Sequence, residues 1–145
     1  MTPRLFVVPA ALNAAISVAP LVLAFWRGGW RERLVAALWV GGYLINELQR
    51  IGLGPQDRVS RGFRDVAEDV VLLAGCGFCL LRARHYWVVW ATALALLSVV
   101  TDILYLARPE VTSLVHIYAD DIWGYALDAA IVWGVFSARR RHAAP

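Results

Sequence analysis

Residues 86–107 read YWVVWATALALLSVVTDILYLA, and Asp102 is the one charged side chain in this stretch. A helix of about 20 apolar residues is long enough to cross the roughly 30 Å hydrocarbon core of a bilayer. Pro109 follows shortly afterwards, and proline cannot continue a helix without losing a backbone hydrogen bond. The stretch therefore predicts a membrane-spanning helix that ends near Ala107.

Similar apolar runs lie on both sides of this stretch. The chain has 145 residues, of which 60% are apolar and 17% are charged, a balance too apolar for an ordinary soluble domain. Strand-like alternation of apolar and polar residues is absent. We predict an all-α integral membrane protein, a single domain over residues 1–145 with a five-helix transmembrane bundle. The predicted helices are Leu5–Trp26, Leu34–Leu53, Arg61–Leu81, Tyr86–Ala107 and Ser113–Ala138.

The charged residues are distributed unequally between the two ends of such a bundle. Eight arginines fall at the end that holds the first and third turns and the C-terminal tail, and six fall at the other end. The positive-inside rule then predicts that the N-terminus lies outside and the C-terminus in the cytoplasm, in the inner membrane of a bacterium. Aromatic residues near the predicted interfaces are expected to anchor there: Trp26, Trp30, Tyr86, Trp87 and Tyr118.

Ten of the eleven acidic residues fall at or near the outer end, and Glu32 is the exception. Carboxylates within membrane helices are costly, so they indicate a functional site by default. Asp102 and Asp128 are the most deeply placed, and Asp121, Tyr125 and Asp128 recur at i, i+4 and i+7 on one helix face. The predicted ligand, ion or proton site comprises Glu47, Arg50, Glu68, Asp69, Asp102, Asp121 and Asp128.

Three classes of function are compatible with this arrangement. The first is a non-enzymatic membrane protein whose acid-lined pocket opens to the outer face and binds or passes a small cationic or protonatable ligand. The second is an accessory or structural subunit of a membrane complex, which requires a contiguous lipid-facing stripe of Gly, Ala and Trp and no cavity. In the third, Asp102 and Asp128 act as an acid and base on a lipid-soluble substrate, which requires both to reach one reacting centre.

The sequence predicts no metal and no cofactor. His116 and Asp120 are four residues apart, a spacing that suits two metal ligands, but no cluster of His or Cys accompanies them. Cys76 and Cys79 lie inside an apolar run without a second pair or a βαβ context, so we interpret them as packing residues.

The arginines form no aromatic-interleaved basic face, which argues against nucleic-acid binding. The predicted partner is the lipid bilayer, and either a homo-oligomer or a hetero-oligomer is compatible with the sequence.

The C-terminal half of the chain resembles small uncharacterised polytopic inner-membrane proteins of bacteria. The resemblance rests on short motifs between Asp69 and Phe136, and it implies a multi-pass location without implying an activity. These motifs are DVVLL at 69–73, RHYW at 84–87, VTDIL at 100–104, YA at 118–119 and IWGY at 122–125.

Overall fold

The computed structural model describes residues 10–53, 57–82, 85–108, 110 and 113–142. Side chains are described from residue 18 onward, except those of residues 47, 50, 51, 53, 113 and 138–142. These residues form five α-helices and contain no strand, which confirms the predicted all-α class. The helices are α1 Ala10–Arg27, α2 Trp30–Leu53, α3 Arg58–Arg82, α4 Tyr86–Ala107 and α5 Ser113–His142.

Three helix ends differ from the sequence-based bounds by three or four residues, because these helices extend into charged segments. The predicted start of the first helix at Leu5 lies outside the described residues. α2 begins at Trp30, four residues before the predicted start, and Glu32 lies in its first turn, where the helix dipole favours an acid. α3 begins at Arg58, where the Asp57 carboxylate accepts the Ser60 backbone N–H at 3.3 Å. Hydrogen bonds from the Ser60 hydroxyl and from the Ser60 backbone N–H hold the pKa of the exposed Asp57 carboxyl below its usual range. α5 continues beyond the predicted end to His142.

Short turns make consecutive helices antiparallel, and the closest packing joins α3 to α4 and α4 to α5. α1 packs against α2 and α5, which brings the first and last helices together. The start of α3, the end of α4 and the start of α5 therefore meet at one end of the bundle, which we call the acidic end. The other end holds the α1–α2 and α3–α4 turns.

The apolar core occupies the half of the bundle away from the acidic end. It includes Trp87, Val88 and Ala91 at the start of α4 and Ile131 and Val135 in the second half of α5. Cys76 and Cys79 are buried free thiols within it, in agreement with their interpretation as packing residues.

Trp87 does not anchor at an interface as predicted, because its side chain is 1% exposed. Its indole lies against Gly134, where an added Cβ would come within 2.7 Å of the ring. The other four predicted anchors have exposed side chains, among them Trp26 and Tyr86.

Among the described residues, one helix satisfies the length and hydropathy expected of a membrane span. This helix is α4, at a mean hydropathy of 1.9, and a third of its apolar window is buried in the bundle. The same composition occurs in the core helix of a soluble protein. The structure therefore shows five helices, of which one is apolar enough by itself to cross a membrane.

Candidate functional site

His116 is the centre of a buried group of ionisable side chains at the acidic end. Its Nε2 lies 2.9 Å from Asp102 Oδ1, and its Nδ1 lies 3.3 Å from Asp120 Oδ2. The Asp102 side chain is 2% exposed and that of His116 is 5% exposed, whereas Asp120 is 39% exposed. The three groups thus form a line that leads from the bundle interior toward the surface.

The helix geometry explains why these residues meet. Asp102 lies five residues before the end of α4, and His116 lies in the first turn of α5, so the short connection places them opposite each other. Asp120 follows His116 by four residues, and side chains at this spacing share a helix face. The site is therefore produced by the α4–α5 hairpin.

The imidazole ring is held in a stack. The Tyr105 ring lies parallel to the His116 ring, at 4.0 Å between centroids and 25° between planes. The guanidinium of Arg58, at the start of α3, lies 4.2 Å from the centroid of Tyr105. Arg58 also donates to the backbone carbonyls of Tyr105 and Arg108 at the C-terminal end of α4. α3 thereby fixes the ring that packs against His116.

A further carboxyl group on α3 reaches the same centre. Asp69 makes side-chain hydrogen bonds with Ser98 and Asp102 on α4. Ionised carboxylates only accept hydrogen bonds, so two of them in contact require a proton on one or a cation beside them. Either a protonated Asp69 or a cation bound beside the two groups satisfies the Asp69–Asp102 contact.

Two more acids of α3 lie at the edge of the group and share an arginine. Arg64 Nε lies 3.7 Å from Asp65 Oδ1 and 4.0 Å from Glu68 Oε1, and Arg64 Nη1 donates to Gln49 Oε1 at 3.0 Å. Arg64 and Glu68 thus form an i, i+4 ion pair on α3. We call the whole set the acid–histidine cluster, and its members are Asp65, Glu68, Asp69, Asp102, His116 and Asp120.

The protonation of His116 is constrained by its two neighbours. A neutral imidazole has one N–H donor and one lone pair, so it can donate to one carboxylate only. With carboxyl oxygens beside both nitrogens, the arrangement is satisfied by an imidazolium, by a neutral imidazole that accepts from a protonated carboxyl group, or by a cation bound at one nitrogen. The cluster is therefore chemically suited to holding a cation.

Asp128 forms a separate polar contact. Its Oδ1 accepts the Trp39 Nε1–H of α2 at 3.0 Å, and its side chain is 5% exposed. The Oδ2 atom is buried and has no hydrogen-bond partner among the described residues. Because twelve residues of helix span about 18 Å, Asp128 lies far along α5 from His116 and from the Asp102 that His116 contacts. Asp102 and Asp128 do not share one reacting centre, so the proposed acid–base pair is not supported.

The predicted site residues are thus only partly brought together. Asp69 and Asp102 meet directly, and Glu68 lies at the edge of the same cluster. Asp121 is half-buried on α5, and Asp128 belongs to the contact with Trp39. The side chains of Glu47 and Arg50 lie outside the described residues.

The predicted site included Asp102 but neither His116 nor Asp120. The i, i+4 spacing of His116 and Asp120 was visible, but Asp102, which lies 14 residues before His116, belongs to another helix. Asp65, Tyr105 and Arg58 gave no signal that distinguished them from ordinary polar residues near helix ends.

The opposite end of the bundle holds a second histidine with different chemistry. Arg31 Nη1 lies 3.0 Å from His85 Nε2, and Glu32 is 5% exposed beside the α1–α2 turn. Because arginine can only donate, His85 accepts through an unprotonated nitrogen. His85 thus provides a comparison for His116, because its Nε2 meets an arginine.

No protein-family model, curated protein or solved structure matches this chain.

Proposed function

We propose that this chain is a five-span protein of the cytoplasmic membrane that binds a small cation, or a ligand that can carry a proton, at the acid–histidine cluster. The observation that carries the proposal is the placement of His116 between Asp102 and Asp120, with Asp69 hydrogen-bonded to Asp102. Burial of several carboxyl groups is costly unless positive charge accompanies them.

The outer surface of the bundle supports the membrane location. Among the side chains that the structure describes, twenty-nine large apolar ones are exposed, and each of the five helices contributes at least four of them. Exposed apolar area costs about 25 cal/mol per Å² in water, and extended apolar surface is typical of membrane contact. A lipid environment removes this cost for all five helices at once.

The charged residues of α3 and α5 fit the same proposal. Arg64, Asp69 and Asp120 make these helices less apolar than α4, yet Asp69 and Asp120 belong to the cluster and Arg64 pairs with acids of the cluster. Charges within membrane helices face the interior of the bundle and pair with one another. The site that α3 and α5 share thus accounts for part of their low hydropathy.

Cation-dependent stability of the purified protein tests the proposal. We expect at least one of the chlorides of Na⁺, K⁺, methylammonium, Mg²⁺ or Zn²⁺ to raise the Tm in detergent at constant ionic strength. A ligand at about 100 times its Kd stabilises the native state by about 2.7 kcal/mol. The rise should be reduced in Asp102→Asn and in the half-exposed Asp120→Asn, and retained in Asp57→Asn at the start of α3. Equal responses in all four proteins would contradict the proposal.

A further inference from the structure

We propose that the ligand of the cluster is a divalent first-row transition-metal ion, bound by His116, Asp102 and Asp120. This inference rests on the proposed function and narrows it to one class of cation. Each of the three residues offers one ligand atom, and these atoms all lie within 4.8 Å of one another. They come from two helices joined by a short turn, so the ligand set is built into the hairpin.

One interatomic distance already suits a metal. Ligand atoms about 2.0–2.1 Å from a zinc-sized ion and 90–110° apart are separated by about 2.9–3.4 Å. His116 Nε2 and Asp102 Oδ1 are 2.9 Å apart, which corresponds to neighbouring positions of such a coordination sphere. Asp120 lies beside the other ring nitrogen, and the three ligand atoms lie within 4.8 Å of one another, so the Asp120 carboxylate turns toward the ion when the ion binds. Asp120 Oδ1 is a buried atom with no hydrogen-bond partner among the described residues, so it keeps a lone pair for a metal or a water.

The ligand types favour a transition metal over the other cations. An imidazole nitrogen with carboxylate oxygens suits Zn²⁺, Mn²⁺, Fe²⁺ or Co²⁺, whereas Ca²⁺ and Mg²⁺ select oxygen ligands alone. Two carboxylates also neutralise one divalent charge, which is important where both Asp102 and His116 are buried.

Residues outside the ligand set hold the ligand side chains in place, as they do in many metal sites. Tyr105 stacks on the His116 ring, and Arg58 holds Tyr105, so the imidazole plane is fixed by contacts outside the ligand set. Asp69 hydrogen-bonds to Asp102 and orients that carboxyl group. Such outer contacts fix ligand orientation, and their loss weakens metal affinity about 10–100-fold. The partial exposure of Asp120 leaves a route for the ion from the acidic end.

The test is metal binding by the full chain, purified with an affinity tag that contains no histidine and reconstituted in lipid nanodiscs. Titration with Zn²⁺ and with Co²⁺ measures stoichiometry and Kd, and Mg²⁺ is the comparison ion. We expect one Zn²⁺ per chain and Co²⁺ absorption bands that indicate nitrogen ligation. The Kd should increase at least about tenfold in Asp120→Asn and in His116→Gln, and should be unchanged in His85→Gln.

Asp120→Asn keeps the size of a half-exposed side chain, so it preserves a folded protein in which the loss of one ligand can be measured. The ¹⁵N shifts of His116 provide a readout that a purely structural role would not move, because metal binding removes the proton from one ring nitrogen. Unchanged Zn²⁺ affinity in both variants, or a His116 that stays doubly protonated in saturating Zn²⁺, would overturn the metal assignment. If Na⁺ or methylammonium raises the Tm while Zn²⁺ does not bind, the metal assignment is wrong and the proposed cation-binding function is retained. If no cation binds or raises the Tm, the metal assignment and the proposed function are both wrong.

Discussion

His116 shows how a single side chain acquires its chemistry from its partners. Its ring lies between two carboxylates and under the Tyr105 ring, whereas the ring of His85 faces an arginine. The same residue type therefore meets two acids in one setting and an arginine donor in the other. The sequence around each histidine, with an acid near one and arginines near the other, indicates this difference only in outline.

Asp128 permits a test of a buried polar contact at the residue scale. Replacing it with leucine leaves the Trp39 indole N–H without its acceptor, which costs about 1–3 kcal/mol. Asp128→Asn keeps an acceptor oxygen and should cost less, so we expect D128L to lower the free energy of unfolding more than D128N does. Unfolding by SDS titration in mixed micelles measures both values.

Trp39→Phe provides the control for this contact, because it removes the donor and leaves the acid. In the Trp39→Phe background the difference between D128L and D128N should shrink, since residues in one hydrogen bond are energetically coupled. Additive effects in the double variants would mean that the Trp39–Asp128 bond contributes nothing to stability.

Glycines set the distances between helices at the scale of the elements. Gly134 of α5 allows the Trp87 indole of α4 to lie directly against the backbone, whereas a Cβ on Gly77 of α3 would meet nothing within 4 Å. The two positions are both helical, so they share the propensity gain of up to about 1 kcal/mol on replacement by alanine. They differ in what the added methyl group contacts.

We therefore expect opposite effects from one substitution at the two positions. Gly134→Ala forces the buried Trp87 ring to move, and overpacking of this kind costs about 1–3 kcal/mol. Gly77→Ala should leave stability unchanged or raise it by up to about 1 kcal/mol. Thermal unfolding of both variants in the same detergent measures the difference. A Gly134→Ala protein as stable as Gly77→Ala would show that Trp87 does not pack as described.

At the scale of the whole molecule, the bundle divides into an apolar half and a polar half. The core around Trp87 and Ile131 fills one half, and the acid–histidine cluster lies in the other. Exposed apolar side chains surround both halves. This division places the ionisable groups near one end of the bundle, where a ligand can reach them without crossing the core.

The proposed topology gives a prediction for the whole chain. Five crossings place the two termini on opposite sides of the membrane, and the arginine distribution orients the C-terminus toward the cytoplasm. A fluorescent reporter that folds only in the cytoplasm should be active at the C-terminus, and a tag at the N-terminus should react with a membrane-impermeant label. Matched fusions after Arg27 and after Ala107 supply the internal controls. Termini in the same compartment would contradict five crossings and this orientation.

Some features followed from the sequence because their causes are local. The number of helices and the turns between them depend on apolar runs, glycines and prolines within a few residues. α4 matches its predicted bounds, Tyr86–Ala107, because apolar residues fill it and Pro109 follows. The gathering of acids such as Asp69 and Asp102 at one end also followed, because five helices with short turns alternate in direction.

Other features were decided only by tertiary structure. Helix periodicity does not specify how far one helix is shifted or rotated against the next, and these two variables determine which side chains touch. They place Asp102 against His116 and set Asp128 against Trp39, about 18 Å farther along α5. They also turn Trp87 inward against Gly134, whereas Tyr86, one residue earlier, faces outward. The local pattern thus determined where the helices lie, and packing between them determined which acids form the site.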